Sequence, residues 1–170
     1  MKMTKLALVA LIAGSGLSAG AMAATADGTL GATSTGTVDV TLTVPKLIRI
    51  TGLATIALGS YSGDGSDMTG TSPGCVRQNG TTATYGILVT SANGAFDLDA
   101  GAGTLPYSVS WGGSAVTYNT NLASQAPDST TLGACTSVAD KLSVTVLGTD
   151  LDAAPGGSYS DTLTLVVEPE

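Results

Sequence analysis

Gly36-Thr37-Val38-Asp39-Val40-Thr41-Leu42-Thr43-Val44 is the stretch on which the reading of this chain turns. Val38, Val40, Leu42 and Val44 fall on one face of an extended chain. Thr37, Asp39, Thr41 and Thr43 fall on the other, because side chains alternate faces along a strand. Pro45 ends the run. A lone strand with one apolar edge has to pair with a sheet, its own or another molecule's. In the second case the chain is a polymer subunit.

The residues before the strand fit export. Residues 1–23 have the pattern of a secretory signal peptide: Lys2 and Lys5 at the start, an apolar core from Leu6 to Ala13, and Ala21-Met22-Ala23 as the small-x-small cleavage site. The apolar core is too short to span a bilayer, and Gly14, Gly16 and Gly20 dilute the residues after it. The expected mature start is Ala24. Residues 24–45 are then an N-terminal extension carrying the strand, and residues 46–170 one β-domain large enough to bury a core.

Removing Lys2 and Lys5 leaves four basic residues against thirteen acidic, so the expected mature charge is −9. That balance argues against nucleic acid or an anionic lipid surface as partner. Two cysteines, Cys75 and Cys135, are expected to form one disulfide in an exported chain. The bridge would close a loop of about 60 residues, worth about 4 kcal/mol in the chain-entropy account.

Along residues 46–170 the apolar pattern repeats with period two. Lys46 to Ile50 and Ala54 to Leu58 are short β-rich runs, and Ser60 to Gly74 is a turn-rich loop with four glycines and Pro73. Thr82 to Ser91 alternates around Tyr85, Ile87 and Val89. Asn93-Gly94 is a hairpin signal before Phe96 to Asp99. Leu105, Tyr107, Val109 and Trp111 share a face, and Gly112-Gly113 turns the chain back into Ala115 to Tyr118. Asn119 to Gly133 has the composition of a polar loop. Leu142, Val144 and Val146 are in phase, Asp150 to Gly157 is a turn region, and Ser158 to Val167 is a closing strand. Asp161 falls on that strand's inward phase, against the pattern. Eight or nine short strands without helical periodicity predict an all-β antiparallel sandwich or barrel.

Candidate chemistry is sparse. There is no histidine, which removes Ser-His-Asp and Cys-His triads and most zinc sites. Asp97 and Asp99 alternate with Phe96 and Leu98 and have the pattern of a solvent face. Asp64-Gly65-Ser66-Asp67 resembles a fragment of a calcium loop but lacks the full ligand spacing. A surface turn is the simpler reading. Asn79-Gly80-Thr81 matches a glycosylation sequon, and Trp111 with the tyrosines is read as core rather than as a sugar platform. No cofactor and no enzyme activity are expected.

Two segments resemble one family. Ser34 to Val44 resembles the N-terminal donor segment of archaic chaperone–usher pilins, the spore coat protein U-like group. Gly157-Ser158-Tyr159-Ser160-Asp161-Thr162, leading into Leu163-Thr164-Leu165-Val166-Val167, resembles that family's closing strand. Leu105 to Gly113 is similar to a strand of other chaperone–usher pilins. Family members often carry a cysteine just after the donor segment, whereas here Cys75 lies far downstream. The resemblance implies an immunoglobulin-like sandwich that lacks one strand and is completed by the extension of the next subunit. Val38, Val40, Leu42 and Val44 would be the plug, and Leu163, Leu165 and Val167 part of the accepting groove. The implied function is a structural subunit of a surface fimbria serving adhesion or biofilm formation. Its partners would be like pilin subunits, a periplasmic chaperone and an outer-membrane usher on a Gram-negative cell. The alternative is a self-contained secreted or periplasmic β-sandwich that binds a ligand.

Overall fold

A computed structural model describes residues 26–80, 84–133, 135 and 138–170; the expected signal peptide lies outside them. The chain divides after Val44 into two units.

In the first unit, the N–H groups of Ala26 and Thr37 each donate to the other's carbonyl, at 3.2 and 2.9 Å. Beyond that bridge, residues 38–44 join no β-ladder among the described residues. The expected strand 36–44 is therefore not a paired strand. Alternation places side chains but supplies no partner for the backbone.

Pro45–Glu170 is an all-β antiparallel sandwich. The strands are β1 (Ile48–Thr51), β2 (Met68–Gln78), β3 (Tyr85–Ser91), β4 (Asp97–Asp99), β5 (Thr104–Pro106), β6 (Ser108–Trp111), β7 (Ser114–Val116), β8 (Leu122–Gln125), β9 (Ala139–Val146) and β10 (Leu163–Pro169). One short helix, α1 (Gly148–Ala153), separates β9 from β10. The larger sheet runs β1-β2-β9-β6-β7, the smaller β10-β3-β8, and β4 pairs with β5.

The core lies between the inner faces. Val76, Tyr85, Ile87, Val89, Val109, Trp111, Val144 and Val146 are buried. The alternation from Leu105 to Trp111 holds in full, since Leu105, Tyr107, Val109 and Trp111 are all inside. Gly112 and Gly113, with φ of 56° and 84°, make the two-residue turn into β7, as a tight hairpin requires.

Four expectations are corrected. The stretch read as a loop from Ser60 to Gly74 contributes the first half of β2. Residues 60–67 stay outside any strand, with Gly63 and Gly65 at positive φ, but the two glycines in β2 are there for neighbours: a Cβ on Gly70 would lie 2.5 Å from the Ile56 side chain, and one on Gly74 would lie 2.8 Å from the Trp111 ring. Pro73 sits where the β2–β9 register shifts, a position that tolerates a missing N–H. Asn93-Gly94 forms a turn, with the Gly94 N–H donating to the Ser91 carbonyl, but β3 pairs with β10 and β8, not with β4. The polar loop 119–133 contains β8, and the turn region 150–157 begins inside α1.

Cys75 and Cys135 are disulfide-bonded. The loop that leads to Cys135 is anchored along β2. Asp128 Oδ2 accepts the Val76 N–H at 2.7 Å, Asp128 Oδ1 pairs with Lys141 at 2.8 Å, and Arg77 donates to the Gly133 carbonyl.

Candidate functional site

β10 is the end strand of its sheet; it pairs with β3 along one edge, and no described strand pairs with the other. Its burial alternates. Leu163, Leu165 and Val167 are half-buried and pack against the core, while Thr164, Val166 and Glu168 are exposed. An open edge with apolar residues on the inner face is an incomplete sheet margin.

Across from that edge run residues 53–58, where the expected β-rich run Ala54–Leu58 forms no strand and joins no ladder among the described residues. Its inner phase is Ala54, Ile56 and Leu58. The Ala54 N–H donates to Ser72 Oγ on β2 at 2.8 Å, and Ile56 and Leu58 occupy the space that Gly70 leaves open. Between this segment and β10 lies a groove of about 490 Å³. Leu53, Ile56 and Leu58 form one wall, Leu163 and Leu165 the other, and Leu142 and Val144 from β9 line it below. The walls and floor are thus apolar, while Thr55, Ser72, Asp161 and Thr162 add polar groups to the lining.

Of the three residues expected in an accepting groove, Leu163 and Leu165 line this one; Val167 shares their inward phase but is not among the lining residues. The four expected plug residues are solvent-exposed: Val38 at 73%, Val40 at 90%, Leu42 at 86% and Val44 at 69%. Four in-phase aliphatic side chains exposed to this degree leave the apolar edge of the segment without cover.

Sequence reasoning missed two parts of the site. One is the 53–58 wall, whose signal was the in-phase Ala54, Ile56 and Leu58. The other is the polar cluster at Asp161. Asp161 Oδ2 accepts from Ser91 Oγ at 2.6 Å and from the Tyr107 hydroxyl, and Oδ1 accepts the Thr162 N–H at 2.6 Å. Burial, and then the bond to Asp161, hold the Tyr107 hydroxyl far above its usual pKa, so it remains a donor. An inward-facing Asp161, unexplained by periodicity, is thus a satisfied carboxyl.

The other residues singled out in the sequence have hydrogen-bond partners in the fold; Thr81 of the sequon lies outside the described residues. The Asp64 carboxyl accepts the Ser66 N–H at 3.0 Å and Asp67 accepts the Gly148 N–H at 2.8 Å, so this acidic pair closes a turn and caps α1. Asn79 accepts the Leu47 N–H at 2.7 Å and donates to the Pro45 carbonyl at 2.8 Å, fixing the start of the domain. Trp111 and Tyr85 are core, joined by an indole N–H to hydroxyl bond of 2.8 Å. Among the described residues, no group of three or more acidic or cysteine side chains is placed to hold a metal ion.

No protein-family model matches this chain, and no curated protein matches it.

Proposed function

We propose that this protein is a structural subunit of a surface fimbria, polymerising when residues 36–44 of one copy fill the β10 groove of another. The observation that carries this reading is the pairing of two incomplete surfaces in one chain. One is a segment, residues 38–44, that joins no β-ladder among the described residues and exposes four aliphatic side chains. The other is a groove with apolar walls beside a strand edge that has no partner among the described residues. Each needs what the other has.

Chain connectivity favours a second copy as the donor. The Lys46 ammonium bonds the Glu170 carbonyl at 2.5 Å, so the chain enters the domain near the end of β10. Every pairing in that sheet is antiparallel. To run antiparallel to β10 in cis, Val44 would have to lie beside Leu163, six residues back along the strand from Pro169, or roughly 20 Å. Only Pro45 separates Val44 from Lys46, and two residues span about 7 Å. The chain's own extension can reach this edge in parallel only. An antiparallel filler comes from another copy.

Burying four aliphatic side chains contributes about 6–12 kcal/mol before ordering costs, at about 1.5–3 kcal/mol each. A head-to-tail contact of this kind does not close on itself and extends into a filament. Export through the periplasm, with a chaperone covering the groove before assembly and an outer-membrane usher, fits the same reading. So does a role in adhesion or biofilm formation.

The test is Leu42→Asp in the full chain, made in an oxidising periplasm. Loss of filaments from a subunit that still folds is the expected result. Normal filaments from this variant would overturn the assignment of the donor.

A further inference from the structure

A strand of alternating aliphatic residues cannot set its own register. Slipping by one residue turns every apolar side chain outward, so that error is prevented. Slipping by two restores the pattern: valine replaces leucine and leucine replaces valine against the same wall. Val38, Val40, Leu42 and Val44 are open to this error. The groove does not end where its first cavity ends. A second cavity of about 550 Å³ shares Leu58 and Leu98 with the first and reaches Tyr159, Met68 and Leu151. By shape and apolarity alone, an incoming strand could advance past Leu163 toward Tyr159.

One inward-facing group lies on that path. Counting back along the inner phase from Leu165 and Leu163, the next position is Asp161, and then Tyr159. Asp161 lines the first cavity, and Ser91, Tyr107 and its own neighbour Thr162 hold its carboxyl in place. We propose that Asp161, clasped by Ser91 and Tyr107, is a polar stop that fixes the register of the incoming strand. This rests on the donor-strand reading above. The stop sets Val44 opposite Leu163, Leu42 opposite Leu165 and Val40 opposite Val167. An advance of two residues would press Val44 onto the carboxyl and shut it off from water, which is unfavourable for a polar group. A retreat of two would leave Leu163 uncovered and lose apolar burial. Ser91 ends β3 and Tyr107 lies between β5 and β6, so the carboxyl cannot swing aside without breaking bonds to two separate segments. The arrangement is specificity by exclusion of the wrong alignment.

Cysteine pairs on the outer face read the register directly. Residues opposite one another in an antiparallel pair have Cα atoms about 4.5–5.5 Å apart, within disulfide reach. In the register set by the stop, Thr43 faces Thr164; after a two-residue advance it faces Thr162. Thr162 and Thr164 are both exposed, and the native cysteines are already paired. The full chain would carry Thr43→Cys with either Thr164→Cys or Thr162→Cys. It would be assembled, mildly oxidised and scored for bonds between subunits on a non-reducing gel. With Asp161 in place, the 43–164 bond is expected to exceed the 43–162 bond by about tenfold or more. In Asp161→Leu that ratio is expected to fall toward one, and in Asp161→Asn, which keeps a polar edge, to persist. If Asp161→Leu does not fold, Asp161→Ala takes its place with the same expectation. Equal bonding by both pairs in the native background overturns the stop while leaving the donor strand standing. So does an excess of 43–162, or a ratio unchanged on removing the carboxyl. Absence of both bonds overturns the antiparallel donor strand itself, and the stop with it.

Discussion

Trp111 shows how much one side chain organises here. Its ring is buried, its indole N–H bonds the Tyr85 hydroxyl at 2.8 Å, and the Lys141 ammonium lies 5.9 Å from its ring centroid. Burial also raises the Tyr85 hydroxyl's pKa, so the phenol stays neutral. Tyr85→Phe would strand a buried N–H, at a cost of about 1–3 kcal/mol. The expected result is a lower denaturation midpoint with an unchanged slope. Tyr118→Phe keeps its edge-on contact with Phe96 and is expected to cost under about 0.5 kcal/mol. At this scale the sequence was informative about bulk and phase, since Trp111 on β6 and Tyr107 just before β6 both face inward. It was uninformative about Asp161, because the hydroxyls that satisfy it come from β3 and from the residue between β5 and β6. Only the fold brings them together.

Elements were legible where one face is apolar and the other polar, as in β6, β9 and β10. They were illegible where glycine and proline serve packing rather than turning. β2 looks like a loop because Gly70 and Gly74 make room for Ile56 and the Trp111 ring; periodicity cannot distinguish a glycine that bends the chain from one that admits a neighbour. α1 was hidden by its length. Six residues carry no helical period, and the helix holds by docking: Asp67 caps the Gly148 N–H, and Leu151 packs on the core. Docking depends on Gly148, where a Cβ would overlap the Gly65 carbonyl oxygen. That contact is with backbone, so no rotamer relieves it. Gly148→Ala is expected to cost about 1–3 kcal/mol despite the better helix propensity of alanine, and to raise amide exchange in residues 61–67 as well as in α1. A gain in stability from this change would show that the turn yields easily and that α1 is loosely held.

At the scale of the whole molecule, the proposed donor segment, residues 36–44, and the groove belong to different units, divided after Val44. A substitution in one can therefore leave the other intact, and that separation allows a sharper prediction than the loss of filaments. A Leu42→Asp subunit keeps its groove but cannot donate. A Leu163→Asp subunit keeps its extension but cannot accept, since Leu163 lines the groove wall. Neither variant alone is expected to assemble. Mixed, each supplies what the other lacks, once: the extension of Leu163→Asp enters the groove of Leu42→Asp, and the growth points that remain are both blocked. The expected product is a dimer and nothing larger, seen as a single new band on an unheated gel and a single mass in solution. Adding Leu42→Asp to the native chain should shorten filaments in proportion to its share, because it occupies one end and offers no strand at the other. A segment that completed its own domain would give no dimer from the mixture and no shortening. The count of subunits in the mixed product thus separates a strand given away from a strand kept.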